Sequence, residues 1–315
     1  MQTIAAFFRL IRWPNLIFIA LTQSLFYYCI IVPSLPESYR SLQYRFTDHL
    51  FFLLMAASIL IAAAGYIIND YFDINIDLVN KPDKLVIEKF IKRRWAIVLH
   101  ISITLVGLAL SFYVSLYTGF IVFVGNVICA IFLWVYSTTF KKKLLSGNIL
   151  IALLTAWTVL VLYAAVNTTY VIAGTISKDI PVSMFRIYRL AVLYSGFAFI
   201  ITLIREAVKD IEDIQGDARY QCKTMPIVWG IPAARVYVGV WLTVLLGALS
   251  IITFYAFLLN WWGSAIYLSL LVILPLVFLI RTFIKAQTVS DYHQLSTYIK
   301  LLMLTGIVSM AFFLL

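Results

Sequence analysis

Carboxylate side chains are concentrated in two short segments of the chain. The first, residues 69–77, reads NDYFDINID. If this segment is helical, Asn69, Asp73 and Asp77 recur every four residues and line one face, with Asp70 one turn from Asp73. Such a face presents a row of hard oxygen atoms, the ligand type that magnesium prefers.

The second segment, residues 205–217, reads REAVKDIEDIQGD. Interpreted as one helix, it places four carboxylates on a single stripe at i, i+4, i+7 and i+11, namely Glu206, Asp210, Asp213 and Asp217. Arg205 and Lys209 share this face, where they either pair with Glu206 or Asp213 or contact an anionic ligand.

Like charges at these spacings repel each other unless a cation lies among them. Magnesium takes one or two carboxylates together with waters and phosphate oxygens. Two acidic stripes flanked by lysines therefore favour a site for a magnesium-bound diphosphate over two solvated acidic loops.

The composition indicates what must position these side chains. The chain is 63% hydrophobic and only 12% charged, whereas an average soluble domain is about half apolar and about a quarter charged. A soluble enzyme, a disordered chain and a disulfide scaffold are therefore excluded. The net charge of +10 is interpreted as loop charge facing anionic lipid or substrate, with no nucleic-acid partner. The three cysteines and three histidines are scattered, and the histidines are expected at the membrane interface.

Apolar runs long enough to cross a bilayer occur nine times, since a spanning helix needs about 20 such residues. They lie at 14–32, 48–68, 95–116, 118–136, 147–166, 187–206, 233–256, 262–281 and 295–315. The sequence thus predicts an all-α membrane protein with nine transmembrane helices in a single bundle around a central cavity, forming one domain over residues 1–315.

Loop charges predict the orientation of these spans. With the N-terminus in the cytoplasm, 19 of the 24 lysines and arginines lie on the cytoplasmic side and five on the opposite side. Each acidic segment follows an even-numbered span, so both are expected at the cytoplasmic face. In a prokaryote this would be the inner face of the plasma membrane.

Four strings of the sequence carry a resemblance to a known family. They are N-D-x-x-D-x-x-x-D at 69–77, D-x-x-x-D at 213–217, YSTTFKK at 136–142 followed by Gly147-Asn148, and RWPN at 12–15. The first two resemble the paired acidic motifs of the UbiA superfamily of intramembrane prenyltransferases, and the other two resemble its Y-S-x-x-x-K…G-N and R-P-x-N segments. In the last string the proline is displaced by one residue. Gln221 stands where family members often have glycine.

The resemblance implies a set of site residues. Metal ligands would be Asn69, Asp70, Asp73, Asp77, Asp210, Asp213 and Asp217. Catalysis would involve Asp73, Asp77, Asp213 and Asp217, with Lys141 or Lys142 neutralising the leaving diphosphate. Because aromatic faces attract cations, Tyr136, which lies near the motifs, is also expected to face the allylic cation. Substrate binding would involve Arg12, Asn15, Asn69, Lys142, Arg205 and Lys209. A lid is expected in the loop that carries Lys81, Lys84 and Lys89.

The implied reaction is Mg²⁺-dependent transfer of a prenyl group from an allylic prenyl diphosphate to a lipophilic acceptor. The patterns around Arg12 and Arg205 are most similar to the lineage that prenylates the hydroxyl of a prenylglyceryl phosphate in ether-lipid synthesis. An aromatic quinone precursor is the alternative acceptor. An anionic-lipid transporter is the alternative from another class, although such proteins carry their charges near the bilayer midplane.

Overall fold

The computed structural model describes residues 2–35, 46–80, 85–173 and 179–314. Within these ranges the chain is helical and contains no strand. The helices are α1 (Gln2–Leu10), α2 (Trp13–Ser34), α3 (Asp48–Asn80), α4 (Arg93–Thr118), α5 (Ile121–Thr138), α6 (Ser146–Ala173), α7 (Asp179–Glu212), α8 (Ile214–Arg219), α9 (Met225–Val228), α10 (Gly230–Leu258), α11 (Trp262–Lys285) and α12 (Val289–Leu314).

Nine of these helices in the described ranges are long and apolar enough to cross a membrane, which confirms the nine predicted spans. They are α2 to α7 and α10 to α12. The two closest spans, α4 and α5, are separate helices because the chain turns at Gly119, whose φ of 92° is a left-handed conformation that favours glycine.

Helix α3 explains how an apolar span presents a polar motif. Its 33 residues give a length of about 50 Å at 1.5 Å per residue, whereas the hydrocarbon core of a bilayer is about 30 Å thick. Residues 69–77 occupy the last turns, beyond the apolar stretch, so the same helix that crosses the membrane carries the first acidic segment out of it.

The chain divides into two compact units, Met1–Phe140 with Ala156–Ser195 and Lys141–Thr155 with Gly196–Leu315. In the first unit, α1 lies before the first span. Leu10 at its end and Ile11 directly after it are buried in one cluster with Ile67 and Ile74 of α3. Complete burial of a leucine side chain from water contributes about 1.5–3 kcal/mol. Helix α1 therefore braces the end of α3 that carries the acidic segment.

The second unit has its own apolar core. Ile204, Val208 and Ile211 of α7 pack with residues of α10, α11 and α12. This packing fixes the rotation of α7 about its own axis. The orientation of the opposite, polar face, which carries Asp210, is thereby fixed as well.

One predicted feature of this region is wrong. The second acidic segment is not a single helical stripe, because α7 ends at Glu212 and α8 begins at Ile214. Asp213 lies between them with φ −93° and ψ 7°. Asp213 thus follows the last residue of α7, and Asp217 lies on α8, whereas Glu206 and Asp210 lie on α7.

The predicted lid is described only in part. Lys81 and Lys84 lie outside the described residues. Lys89 is exposed, and the loop before it buries Leu85, Val86 and Ile87.

Candidate active site

The first acidic segment is built around a buried pair on α3. Asn69 and Asp73 are 7% and 2% exposed, and Nδ2 of Asn69 donates a hydrogen bond to Oδ2 of Asp73 at 2.7 Å. The Oδ1 atom of Asn69 is buried without a hydrogen-bond partner among the described residues. Asp77 follows one turn later and is partly exposed. The predicted i, i+4, i+8 face is confirmed as helix geometry.

Arg12 lies against the same segment. It connects α1 to α2 in a left-handed conformation, φ 51° and ψ 50°, and its Nη2 donates to Oδ1 of Asp70 at 2.6 Å. The guanidinium also lies 5.2 Å from the centre of the Tyr66 ring. The charge of Asp70 raises the pKa of Arg12, so the guanidinium stays charged. Asn15 is partly buried in the first turn of α2, where its backbone N–H donates to the Arg12 carbonyl.

The second acidic segment depends on contacts between different parts of the chain. Asp210, on α7, accepts a hydrogen bond from Nδ2 of Asn148 at 2.8 Å. Asn148 lies in the first turn of α6, so the Gly147-Asn148 pair of the sequence serves to orient Asp210. Asp217, on α8, is only 7% exposed.

The end of α8 has the geometry of a Schellman motif. The N–H of Cys222 donates to the Asp217 carbonyl at 3.0 Å, and the N–H of Gln221 donates to the Ala218 carbonyl at 3.3 Å. Gln221 has a φ of 56°, the conformation that this motif requires and that glycine adopts most easily. Gln221 therefore adopts a backbone conformation that would favour glycine, the residue that family members often have there.

The two cations near the end of α7, Arg205 and Lys209, pair with the same carboxylate, that of Glu206. Nη1 of Arg205 lies 2.7 Å from Oε1 of Glu206, and Nζ of Lys209 lies 3.5 Å from Oε2 of the same residue. Pairing with Glu206 was one of the alternatives left open by the sequence. Nε of Arg205 and Oγ1 of Thr202, one turn away, are buried with no hydrogen-bond partner in the described residues.

The remaining predicted residues flank the turn between α5 and α6. Tyr136 is half-buried near the end of α5, Lys141 is partly buried, and Lys142 is exposed in a 3₁₀ turn. The Lys142 carbonyl accepts from the N–H of Lys223 at 2.8 Å.

The donor set fits magnesium. Among the described residues no three carboxylate, histidine or cysteine side chains are grouped closely enough to hold an ion by themselves. Magnesium does not need such a cage, because it retains waters and binds substrate phosphate oxygens. The unpartnered Oδ1 of Asn69, beside the Asp73 carboxylate, is a hard oxygen atom that such an ion could satisfy.

Comparison with known proteins identifies the family. The model of the UbiA prenyltransferase family matches residues 39–304. The chain belongs to the UbiA prenyltransferase family. It is therefore an integral, multi-pass membrane protein and a prenyltransferase. Residues 69–77 and 205–217 both lie inside the matched range.

Two curated relatives of this UbiA family member are named digeranylgeranylglyceryl phosphate synthase. The protein of Methanosphaera stadtmanae is 31% identical over 79% of this chain and 82% of the relative. The protein of Sulfurisphaera tokodaii is 30% identical over 95% of this chain and 97% of the relative.

Solved structures confirm the fold of the family. A structure from work on digeranylgeranylglyceryl phosphate synthase in membranes is 22% identical, covers 99% of both chains and has a TM-score of 0.59. A UbiA homologue from Archaeoglobus fulgidus bound to DMAPP and Mg²⁺ is 14% identical, covers 97% of this chain and 99% of that one, and has a TM-score of 0.57.

Two polar contacts of this UbiA family member were missed by reasoning from the sequence. His293 contacts Glu212, and His100 is buried with its Nδ1 donating to the Ala64 carbonyl at 2.9 Å. The expectation that the histidines lie at the interface is wrong for His100. No local pattern signals either contact, because the partners are 81 and 36 positions apart.

Proposed function

We propose that this UbiA family prenyltransferase uses Mg²⁺ to transfer a prenyl group from an allylic prenyl diphosphate to the hydroxyl of a prenylglyceryl phosphate. The observation that supports this acceptor most strongly is the similarity, along 95% of the chain, to a relative named digeranylgeranylglyceryl phosphate synthase. The product would be an ether: the allylic C–O bond to diphosphate breaks, a C–O bond to the acceptor forms, and the hydroxyl proton is released.

The diphosphate is assigned to the two acidic segments. Magnesium, when bound, would neutralise negative charge on the departing diphosphate. Asn69, Asp73 and Asp77 would hold one magnesium–diphosphate contact, and Asp213 and Asp217 the other. Asp70 and Asp210 support them from the side. The binding of DMAPP with Mg²⁺ by the Archaeoglobus fulgidus homologue is consistent with this assignment.

Cationic side chains near the acidic segments are assigned to the substrates. Lys141 and Lys142 would approach the leaving diphosphate. A phosphate-bearing acceptor adds nearly two negative charges, so it needs further donors. Arg12 forms one hydrogen bond, to Asp70, among the described residues, which leaves other guanidinium donors for a phosphate oxygen. The buried Nε of Arg205 is a second donor of this kind.

We further propose that the two acidic segments lie at the cytoplasmic face of the membrane. A reporter fused after Lys143 should report a cytoplasmic location, and one fused after Leu315 an external location. A cytoplasmic C-terminus would contradict the orientation.

The acceptor is tested by incubating purified protein with labelled prenyl diphosphates and a panel of acceptors, with mass analysis of the lipid product. We expect a magnesium-dependent ether product from a prenylglyceryl phosphate. Efficient prenylation of hydroxybenzoate or dihydroxynaphthoate, with no reaction of the prenylglyceryl phosphate, would overturn the acceptor while leaving the family intact.

A further inference from the structure

The break between α7 and α8 is contacted by a residue from a distant part of the same unit. Glu212, the last residue of α7, is buried and accepts a hydrogen bond from Nδ1 of His293 at 2.8 Å. His293 lies near the start of α12. The contact therefore joins the residue directly before Asp213 to another helix.

The start of α12 is itself firmly placed. Thr288 and Asp291 form a capping box, in which the Thr288 N–H donates to Oδ2 of Asp291 at 2.8 Å. Arg235 of α10 donates to carbonyls at the end of α11, including that of Ile284 at 2.9 Å, and to the Tyr292 hydroxyl at 3.1 Å. The start of α12, which carries His293, is thus fixed by the capping box and by the hydrogen bonds of Arg235.

The local sequence does not explain why α7 ends where it does. Neither glycine nor proline stands at residues 211–214, and Asp213 still donates its N–H to the Lys209 carbonyl at 2.8 Å. A break without a breaker residue needs contacts from elsewhere in the fold. The His293–Glu212 hydrogen bond is such a contact, and it acts one residue before the turn.

We propose that His293 is a positioning residue for prenyl transfer. Through Glu212 it fixes the α7–α8 break and so aims the carboxylates of Asp213 and Asp217 at the magnesium diphosphate. Residues that orient metal ligands in this way affect metal affinity without touching the metal. This inference rests on the proposed function of the second acidic segment.

The test compares His293→Ala, His293→Asn and a matched control, His49→Ala, which replaces an exposed histidine in the first turn of α3. Two quantities are measured. One is the magnesium concentration that gives half-maximal prenyl transfer, with kcat at saturating magnesium. The other is hydrogen–deuterium exchange of residues 206–220 in magnesium-free protein, which does not depend on turnover.

We expect His293→Ala to raise the half-maximal magnesium concentration about 10-fold, with kcat at saturating magnesium largely retained, and to speed exchange across the break. His293→Asn should restore both, because its Nδ2 lies the same number of bonds from the backbone as Nδ1 of histidine and can donate to Glu212. His49→Ala should match the wild type. If His293→Ala does not fold, Glu212→Gln weakens the same contact without a change in volume and takes its place.

Wild-type magnesium dependence and exchange in His293→Ala would overturn the inference, and so would an asparagine variant as impaired as the alanine one. Failure of the wild-type protein to use any prenyl diphosphate with magnesium would instead overturn the proposed function. The exchange measurement would still decide whether His293 holds the break.

Discussion

The two acidic segments differ in local structure and in the contacts that hold their carboxylates. In the first, Asn69 and Asp73 lie on one uninterrupted helix, and their hydrogen bond joins residues four positions apart. In the second, Asp210 and Asp217 lie on different helices, and the contact that orients Asp210 comes from Asn148, 62 positions away. Helix geometry sets the spacing of Asn69 and Asp73 in the first segment, although Arg12 also reaches Asp70 from 58 positions away. In the second segment, the break between α7 and α8 makes the placement of the carboxylates depend on tertiary contacts.

This difference shows where each segment is vulnerable. A helix that crosses a membrane forms all its backbone hydrogen bonds internally. Candidate ligands at the end of such a helix are therefore held by a rigid element. Where the helix is interrupted, as between α7 and α8, the rigidity of the segment depends on contacts with other helices. Residues far from the chemistry should therefore matter more for the second segment than for the first.

The largest expected effect is common to both segments. Asp73→Ala and Asp213→Ala should each reduce kcat by at least about 100-fold, because each removes charge that stabilises the leaving diphosphate through magnesium. The fold should persist, with thermal stability similar to wild type. Asn75→Ala is the matched control, since Asn75 is exposed on the same turn of α3. Near-native turnover of either aspartate variant would exclude that segment from the site.

Two asparagine variants distinguish a candidate metal ligand from a residue that only supports one. Asn69→Ala removes both the partner of Asp73 and the unpartnered oxygen atom, so it should reduce kcat and raise the magnesium requirement. Asn148→Ala removes only the support of Asp210 and should cost about 10-fold in magnesium affinity or activity. Steady-state kinetics at several magnesium concentrations separate the two. A greater loss in Asn148→Ala than in Asn69→Ala would contradict the assignment of Asn69 as a ligand.

The contribution of Arg12 to acceptor binding can be distinguished from that of its partner, Asp70, with two further variants. Arg12→Ala should weaken use of the prenylglyceryl phosphate by about 1.5–3 kcal/mol, typical of a hydrogen bond to a charged group, and should affect the donor less. Asp70→Asn keeps Arg12 and should leave the acceptor KM closer to wild type. Equal effects of the two variants on the acceptor KM would mean that Arg12 acts only through Asp70.

The smallest effect concerns the loop after the second segment. Gln221→Gly should stabilise the protein by up to about 1 kcal/mol, because a left-handed conformation is unfavourable for a residue with a side chain. Ala218→Gly, in the exposed part of α8, should instead destabilise it by about 0.5–1 kcal/mol. Thermal unfolding in detergent measures both. A destabilised Gln221→Gly would mean that the glutamine side chain contributes more than its backbone strain costs.

The sequence predicted best what depends on local periodicity. All nine spans were found, because each is set by length and hydropathy alone. The helical face of Asn69, Asp73 and Asp77 was also found, since the span simply continues through it. The same extrapolation failed at Asp213, where no breaker residue marks the end of α7. The contacts of Asn148 with Asp210 and of His293 with Glu212 join distant positions, and periodicity carries no information about them.

If both acidic segments hold one magnesium-bound diphosphate, as proposed, the loss of either should weaken binding of the donor. Equilibrium binding of a non-reactive thiolo-diphosphate analogue of the donor, with and without magnesium, is measured for the wild-type protein, Asp73→Ala and Asp213→Ala. We expect magnesium to be required for tight binding to the wild type, and each single variant to lose most of that magnesium-dependent affinity. Wild-type affinity in either variant would contradict the claim.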